Sequence, residues 1–426
     1  MTDVRTNRRR LKFPFYVTKK LGVASWKIWV IRAVGIVLAF ILAGVVCNIL
    51  KPGSFGLFYK RLYESCFDFS DFSSFIDLLI VFSLFLLISL ALIPAFKMRF
   101  WNIGAEGQVL VGCLVSAGIA KFAPSEIPNA IVLLLCAVCS IAAGIIWSVL
   151  PAIFKALFNT NETLFTLMMN YIATYLCGMF LFMWDKSGQS KYGDMNNGMF
   201  SEILGNTGTI VIIFAVIIFV LMFFYIKKSI HGYELSVVGE SVNTARYVGI
   251  NVKKVIIRTM IFAGALMGLI GFLIICAVEQ DFNDSIVAGR GFNAILIAWL
   301  GHFEPGEVAI FSFLAAVMEQ GTSNVTDSAK FSSARFSAIC TGIFFFVIIA
   351  CEFFSNYQIN RHHDKYFDEY FKEYKDSKKE SIAATQNKFK RFFKWAWFYI
   401  SYPFVWLIKD IKYKNENKEI QEDKAL

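Results

Sequence analysis

Asn102, Glu106 and Gln108 stand within seven residues of one another, in Asn102-Ile-Gly104-Ala-Glu106-Gly107-Gln108, between two long apolar runs. Two amides and a carboxylate offer donors and acceptors to a polar solute, and the interspersed glycines loosen the backbone. In hydrocarbon such groups survive only when buried in protein or lining a wet cavity. A second set, Thr163, Thr166 and Asn170, follows at i, i+3 and i+7, so its members share one polar face of an apolar helix. Asn293 lies in a third, Gly289-Arg-Gly291-Phe-Asn293, which with Gly301-His-Phe-Glu-Pro305-Gly306 brackets an unusually short apolar segment. Interrupted segments in both halves of a membrane protein point to a central solute path. Asn102, Glu106, Gln108, Thr166, Asn170 and Asn293 are therefore the path candidates. The competing reading is tight helix packing by the glycines and structural hydrogen bonding by the polar side chains.

Catalytic chemistry has no comparable candidates. The chain lacks G-x-x-x-x-G-K-[ST], H-E-x-x-H and G-x-S-x-G, so no P-loop, zinc-protease or hydrolase signature is present. Cys136-Ala-Val-Cys139 has redox-like spacing but is embedded in Leu, Ile and Ala, where Cys packs as a small hydrophobe. The four histidines (His231, His302, His362, His363) form no ligand pattern with cysteines or carboxylates, so no metal and no cofactor is expected.

The elements that must hold these residues are membrane helices. Of 426 residues, 57% are hydrophobic and 17% charged, too apolar for a soluble domain of this length. Runs of about 20 apolar residues, enough to cross roughly 30 Å of hydrocarbon, fall near 30–50, 76–96, 103–121, 128–150, 164–184, 208–226, 256–278 and 335–355. Shorter pieces at 289–301 and 305–318 bring the expectation to ten segments in an all-α polytopic membrane protein, some of them short or broken.

The division along the chain is a basic N-terminus (1–29), a membrane domain (30–355) and a charged, aromatic tail (356–426). With Arg5, Arg8, Arg9, Arg10 and Lys12 inside, the basic segments near 97–99, 155, 227–255 and after 356 all fall on the cytoplasmic face. Both termini are then cytoplasmic. The loop 51–75, nominally outside, disagrees by carrying Lys51, Lys60 and Arg61. The net charge of +10 suits an anionic leaflet better than nucleic acid. In the tail, Tyr366, Phe367, Tyr370, Phe371 and Tyr374 recur at helical spacing, and 394–409 reads as an interfacial helix bent near Pro403. Within 227–255, a short helix at about 241–247, stopped by Gly249, is expected to lie along the membrane. Its small residues would let another protein's groove approach closely, and Tyr233, Leu235, Val237, Val238 and Ile250 need partners to bury against.

Three landmarks, Asn102–Gln108, Asn161–Ala173 and Gly232–Val252, with Gly289–Gly306 as a weaker fourth, resemble the permease subunits of bacterial ABC importers of the ribose/branched-chain amino acid class, most of all nucleoside permeases. The resemblance covers about 30–355. It implies an inner-membrane transport subunit, without ATPase activity of its own, that moves a nucleoside or related sugar-containing solute. It also implies an ATPase subunit, a second permease subunit and a solute-binding lipoprotein as partners. The segment 232–252 becomes an ATPase-coupling helix, with Gly239, Glu240, Ala245, Arg246, Gly249 and Ile250 as its contact residues. Where relatives have Asn-Pro and later Ala-Ala, this loop reads Ser241-Val242 and Thr244-Ala245. Ribose, galactose and riboflavin stay open as solutes. An ion-coupled secondary transporter is the alternative of another class; it would need partnered carboxylates at mid-membrane, whereas Asp77, Glu162 and Glu279 lie near span ends.

Overall fold

The computed structural model describes residues 15–20, 25–50, 53–67, 72–184, 197–203, 205–283, 285–328 and 335–361, with a few positions between 376 and 397. The aromatic tail motifs at 366–374 and 394–409 thus lie wholly or largely outside the described residues. In chain order the elements are β1 (Phe15–Lys19), α1 (Ser25–Leu50), α2 (Phe55–Phe67), α3 (Phe72–Lys97), α4 (Ala105–Phe122), α5 (Asn129–Phe158), α6 (Glu162–Trp184), α7 (Thr209–Lys228), α8 (Ile230–Glu240), α9 (Val242–Tyr247), α10 (Val252–Leu273), α11 (Arg290–Leu300), α12 (Pro305–Ser328), α13 (Arg335–Asn356) and β2 (Tyr357–Arg361). After Leu273 the α10 helix widens into a π-helical turn, Ile274–Glu279.

Among the described residues, eight helices are long and apolar enough to cross a membrane: α1, α3, α4, α5, α6, α7, α10 and α13. Helix α11 has 11 residues, about 16 Å at 1.5 Å per residue, and cannot cross alone. Helix α12 has 24 residues but carries Glu307, Glu319 and Asp327. These two helices occupy the shorter pieces of the sequence reading, eight rather than ten helices being of spanning length, and the bounds fall within a few residues of that reading apart from longer C-terminal runs in α5 and α12. Two stretches read as loops are more ordered than that. Residues 51–75 contain α2, an amphipathic helix that packs on α12 and α3. The segment 227–255 holds α8 as well as the expected short helix α9.

Contacts divide the chain into two compact units, 34–349 and the joined ends 1–33 with 350–426. In the larger unit α3 is the hub. It is apolar all round, as a helix with no free face must be, and its run Ser83–Phe96 is buried throughout. It touches α12, α10, α11 and α7. Beside it, α10 packs tightly on α5 and α4. Gly264 and Gly268 face Gly144, where an added Cβ on any of the three would overlap the opposing backbone. Small residues of this kind bring helix axes close where lipid gives no hydrophobic drive. Ser148 uses the closeness to donate from Oγ to the Met260 carbonyl at 2.7 Å.

In the smaller unit β1 pairs antiparallel with β2, from Phe15 opposite Arg361 to Lys19 opposite Tyr357. Arg32 Nε donates to Glu352 Oε2 at 3.0 Å, both side chains buried, and Asn356 Nδ2 donates to Glu352 Oε1 at 2.8 Å. All nine cysteines are free thiols, including Cys136 and Cys139.

Replacing Gly268 by Val is expected to destabilise the protein by more than about 3 kcal/mol, because backbone rather than a movable side chain opposes the new methyls. Its thermal unfolding midpoint in detergent should fall well below that of the wild type, while Gly342→Val, which meets nothing within 4 Å of the added Cβ, should leave it close to the wild-type value.

Candidate functional site

The segment between α3 and α4 turns back before reaching an ordinary loop, and its exposed peptide groups need partners. With no water available, each unpaired group would cost several kcal/mol. The chain's own backbone meets several of them, Phe100 N donating to Ala95 O at 2.9 Å and Asn102 N to Phe100 O at 3.0 Å, and side chains of α6 meet others. Asn170 Oδ1 accepts from Gly107 N at 2.9 Å, and its Nδ2 donates to Ile103 O at 2.8 Å. Thr166 Oγ1 accepts from Ile103 N at 3.1 Å and donates to Glu162 O at 2.8 Å. Asn102 and Gln108 pair amide to amide, each donating to the other at 3.2 Å, and Asn102 Oδ1 also accepts from Gly104 N at 3.1 Å. All four side chains are buried. Asn161 caps α6, accepting from Leu164 N at 3.2 Å, and Glu162 pairs with Lys155 at 2.8 Å.

Glu106 does something different. Its carboxylate reaches across to the start of α11, accepting from Gly289 N at 2.8 Å and Gly291 N at 2.7 Å. The helix that follows the first break and the helix that follows the second therefore meet end on, with one carboxylate between them. Next to it, Arg290 Nε donates to Glu319 Oε1 at 2.9 Å. The Nη1 of Arg290 is buried without a hydrogen-bond partner. Asn293, one turn along α11, is half-buried.

Five of the six path candidates thus converge on one break, and the sixth lies on the helix that Glu106 caps. In this conformation Asn102, Gln108, Thr166 and Asn170 direct their hydrogen bonds inward, to one another and to backbone. Arg290 Nη1, beside them, has bonding capacity left. Sequence reading missed the Arg290–Glu319 pair, whose members are 29 residues apart; the only signal was a charged residue within each of two apolar segments. The carboxylates weighed in the sequence, Asp77, Glu162 and Glu279, did not include this partnered one.

The other candidates lie on α8 and α9. Ser229 caps α8 and Ser241 caps α9, their hydroxyls accepting from Gly232 N at 2.9 Å and Thr244 N at 3.2 Å. Gly239 and Ala245 are buried within the chain, whereas Glu240, Arg246 and Gly249 are exposed and Ile250 is half-buried. Gly249 ends the helix with φ +84°. Leu235 and Val238 find their partners inside the chain, but Tyr247 is 93% exposed, with Tyr233, Val242 and Val248 also outward. In the first turn of α8, His231 contacts Tyr225 Oη through Nδ1 and Thr259 Oγ1 through Nε2, the latter at 3.2 Å. Burial first, then the nearby Arg258, pushes the His231 pKa below its ordinary value, with Glu234 opposing.

Two glycine-broken segments meeting inside a set of membrane-length helices define a multi-pass membrane protein of the discontinuous-helix type that transporters use. The chain belongs to the branched-chain amino acid transport system / permease component family, whose model matches residues 74–350. It is similar to a guanosine ABC transporter permease protein of Bacillus subtilis, 33% identical over 56% of this chain and 69% of the relative. A nucleoside ABC transporter permease protein of Lactococcus lactis is 30% identical over 57% and 70%. A glucose ABC transporter permease protein of Haloferax volcanii is 26% identical over 66% and 77%. No solved structure matches the chain.

Two outcomes follow from this geometry. Asn170→Ala strands the Gly107 amide and the Ile103 carbonyl, at about 1–3 kcal/mol for each unsatisfied group, so a clear drop in the thermal midpoint is expected, larger than for Asn293→Ala. For His231, whose folded pKa is lowered, the unfolded chain binds more protons below about pH 6.5. Its contribution to stability is complete above that value and is lost as pH falls, so the thermal midpoint should decline from pH 7.5 to 5.5, less so in His231→Gln.

Proposed function

We propose that the chain is the permease subunit of an ABC importer that carries a nucleoside, with ATP hydrolysed by a separate subunit. The observation that carries the solute class is Glu106. Helix N-termini at the heart of a transporter attract anionic groups of the substrate. Here the junction of two such termini already holds a carboxylate from the chain itself, an arrangement that suits a neutral solute and repels the carboxylate of an amino acid. The names of the relatives from B. subtilis and L. lactis agree with that preference.

Solute would pass beside the α4–α11 junction, with Arg290 Nη1 and Asn293 meeting acceptors on sugar or base, and the Asn102–Gln108 and Thr166–Asn170 pairs keeping the break in shape. The exposed apolar side chains of α9 and its neighbourhood, Tyr247 foremost, offer the surface on which an ATPase subunit docks, flanked by Glu240 and Arg246. Gly239 and Ala245 act from inside that surface. A second permease subunit and a solute-binding lipoprotein complete the importer. The protein sits in the cytoplasmic membrane with both termini, and α8–α9, inside.

Co-expression with the neighbouring ATPase and permease genes, followed by purification and reconstitution, tests this. The ATPase should co-purify, and vesicles should take up labelled guanosine or uridine only with ATP, competed by unlabelled nucleosides and not by leucine. Tyr247→Ala should weaken retention of the ATPase without loss of membrane insertion. Competition by leucine, or uptake without any nucleotide, would defeat the proposal; uptake of glucose alone would move the solute to the hexoses.

A further inference from the structure

Two unrelated contacts converge on Lys97, the last residue of α3. Its carbonyl oxygen lies where a side chain on Gly239 would have to go, so α8 rests directly on the end of α3. Its ammonium donates to Glu304 Oε1 at 2.8 Å. The other carboxylate oxygen of Glu304 is 3.5 Å from Lys227 Nζ at the end of α7. One residue earlier, the Phe96 ring meets that of Phe303 with centroids 5.5 Å apart. Successive residues of α3 therefore hold successive residues of the turn that joins α11 to α12.

That turn is tight. His302 and Phe303 both have positive φ, 49° and 58°. Phe303 N donates to Ala298 O at 3.0 Å, Glu304 N to Gly301 O at 2.8 Å and Val308 N to Glu304 O at 3.0 Å. Movement of Glu304 must then carry the end of α11 with it. At its other end, about 16 Å away along the helix axis, α11 is held by Glu106 through the Gly289 and Gly291 amides.

We infer that Lys97 and Glu304 form the joint that passes displacement of α8 to α11, tilting α11 against its Glu106 anchor. The inference rests on the proposed coupling of α8–α9 to an ATPase. Both are positioning residues. Their pair is partly exposed, at 18% and 38%, and pairs of that kind contribute little to stability. Severing it should therefore be felt in coupling more than in folding.

The test uses the reconstituted importer and reads solute moved per ATP hydrolysed. Glu304→Gln and Lys97→Met should each lower that ratio about tenfold, the scale of an ordinary coupling between sites, with ATP hydrolysis and subunit retention within about twofold of wild type. Lys97→Arg, which keeps the pair, should retain the wild-type ratio. Should Glu304→Gln not insert, Lys97→Met carries the same test, because it leaves Glu304 paired with Lys227. An unchanged ratio in the severed variants, or uptake and hydrolysis falling together, would overturn the joint. Absence of ATP-driven uptake in the wild type would instead defeat the functional proposal beneath it.

Discussion

One carboxylate, that of Glu106, stands where the N-termini of two helices meet, and the interior of the protein is arranged around that contact. Each helix terminus carries roughly half a positive charge in its unpaired amides. Bringing α4 and α11 end to end would set two such poles against each other in a medium with little screening. Glu106 sits in the first turn of α4 and accepts from two amides at the start of α11, so it offsets both poles at once. The same contact makes its own burial tolerable, since an ionised group out of water is costly unless it is paired and hydrogen-bonded. Arg290 and Glu319 extend the alternation of charge by one more pair.

The backbone around this junction follows the same economy of partners. The segment before α4 pairs most of its amides with its own backbone, and side chains meet those left at its end and in the first turn of α4. Ile103 N goes to Thr166, Ile103 O and Gly107 N to Asn170, Gly104 N to Asn102. That accounting explains why α6, otherwise turned outward along Leu164, Met168, Tyr171 and Tyr175, keeps one polar face.

Much of this was legible in the sequence, for reasons that differ element by element. Span length is a direct reading of apolar run length, so α3 and α6 fell within a few residues of expectation. The breaks were legible because glycines and amide side chains interrupt otherwise apolar runs, a pattern that helix packing shares. Helix α9 announced itself by the stop at Gly249. Helix α8 did not: its His231, Gly232 and Glu234 read as polar loop, although Ser229 caps it and α3 and α7 pack against it. The pairing of Asn102 with Gln108 was out of reach, because six residues across a non-helical turn fit neither helical nor strand spacing. The ion pairs Lys97–Glu304 and Arg290–Glu319 join positions 207 and 29 residues apart, and nothing local in a chain specifies such meetings.

The strength of the Glu106 contact also bears on where the energy for transport must come from. Two hydrogen bonds to a charged acceptor are worth about 3–6 kcal/mol together. Inverting a two-state equilibrium from 1:99 to 99:1 takes about 5.5 kcal/mol of differential binding. If the two bonds are present in one state of the path and absent in the other, the clamp is of the size that holds one state almost exclusively. A neutral solute, offering uncharged hydrogen bonds at roughly 1 kcal/mol each, is poorly matched to releasing it unaided. A partner that binds α8–α9 differently in its two nucleotide states needs only to transmit its preference through α3 to the far end of α11. A chain whose central carboxylate is already held by its own amides is thus suited to being driven from outside.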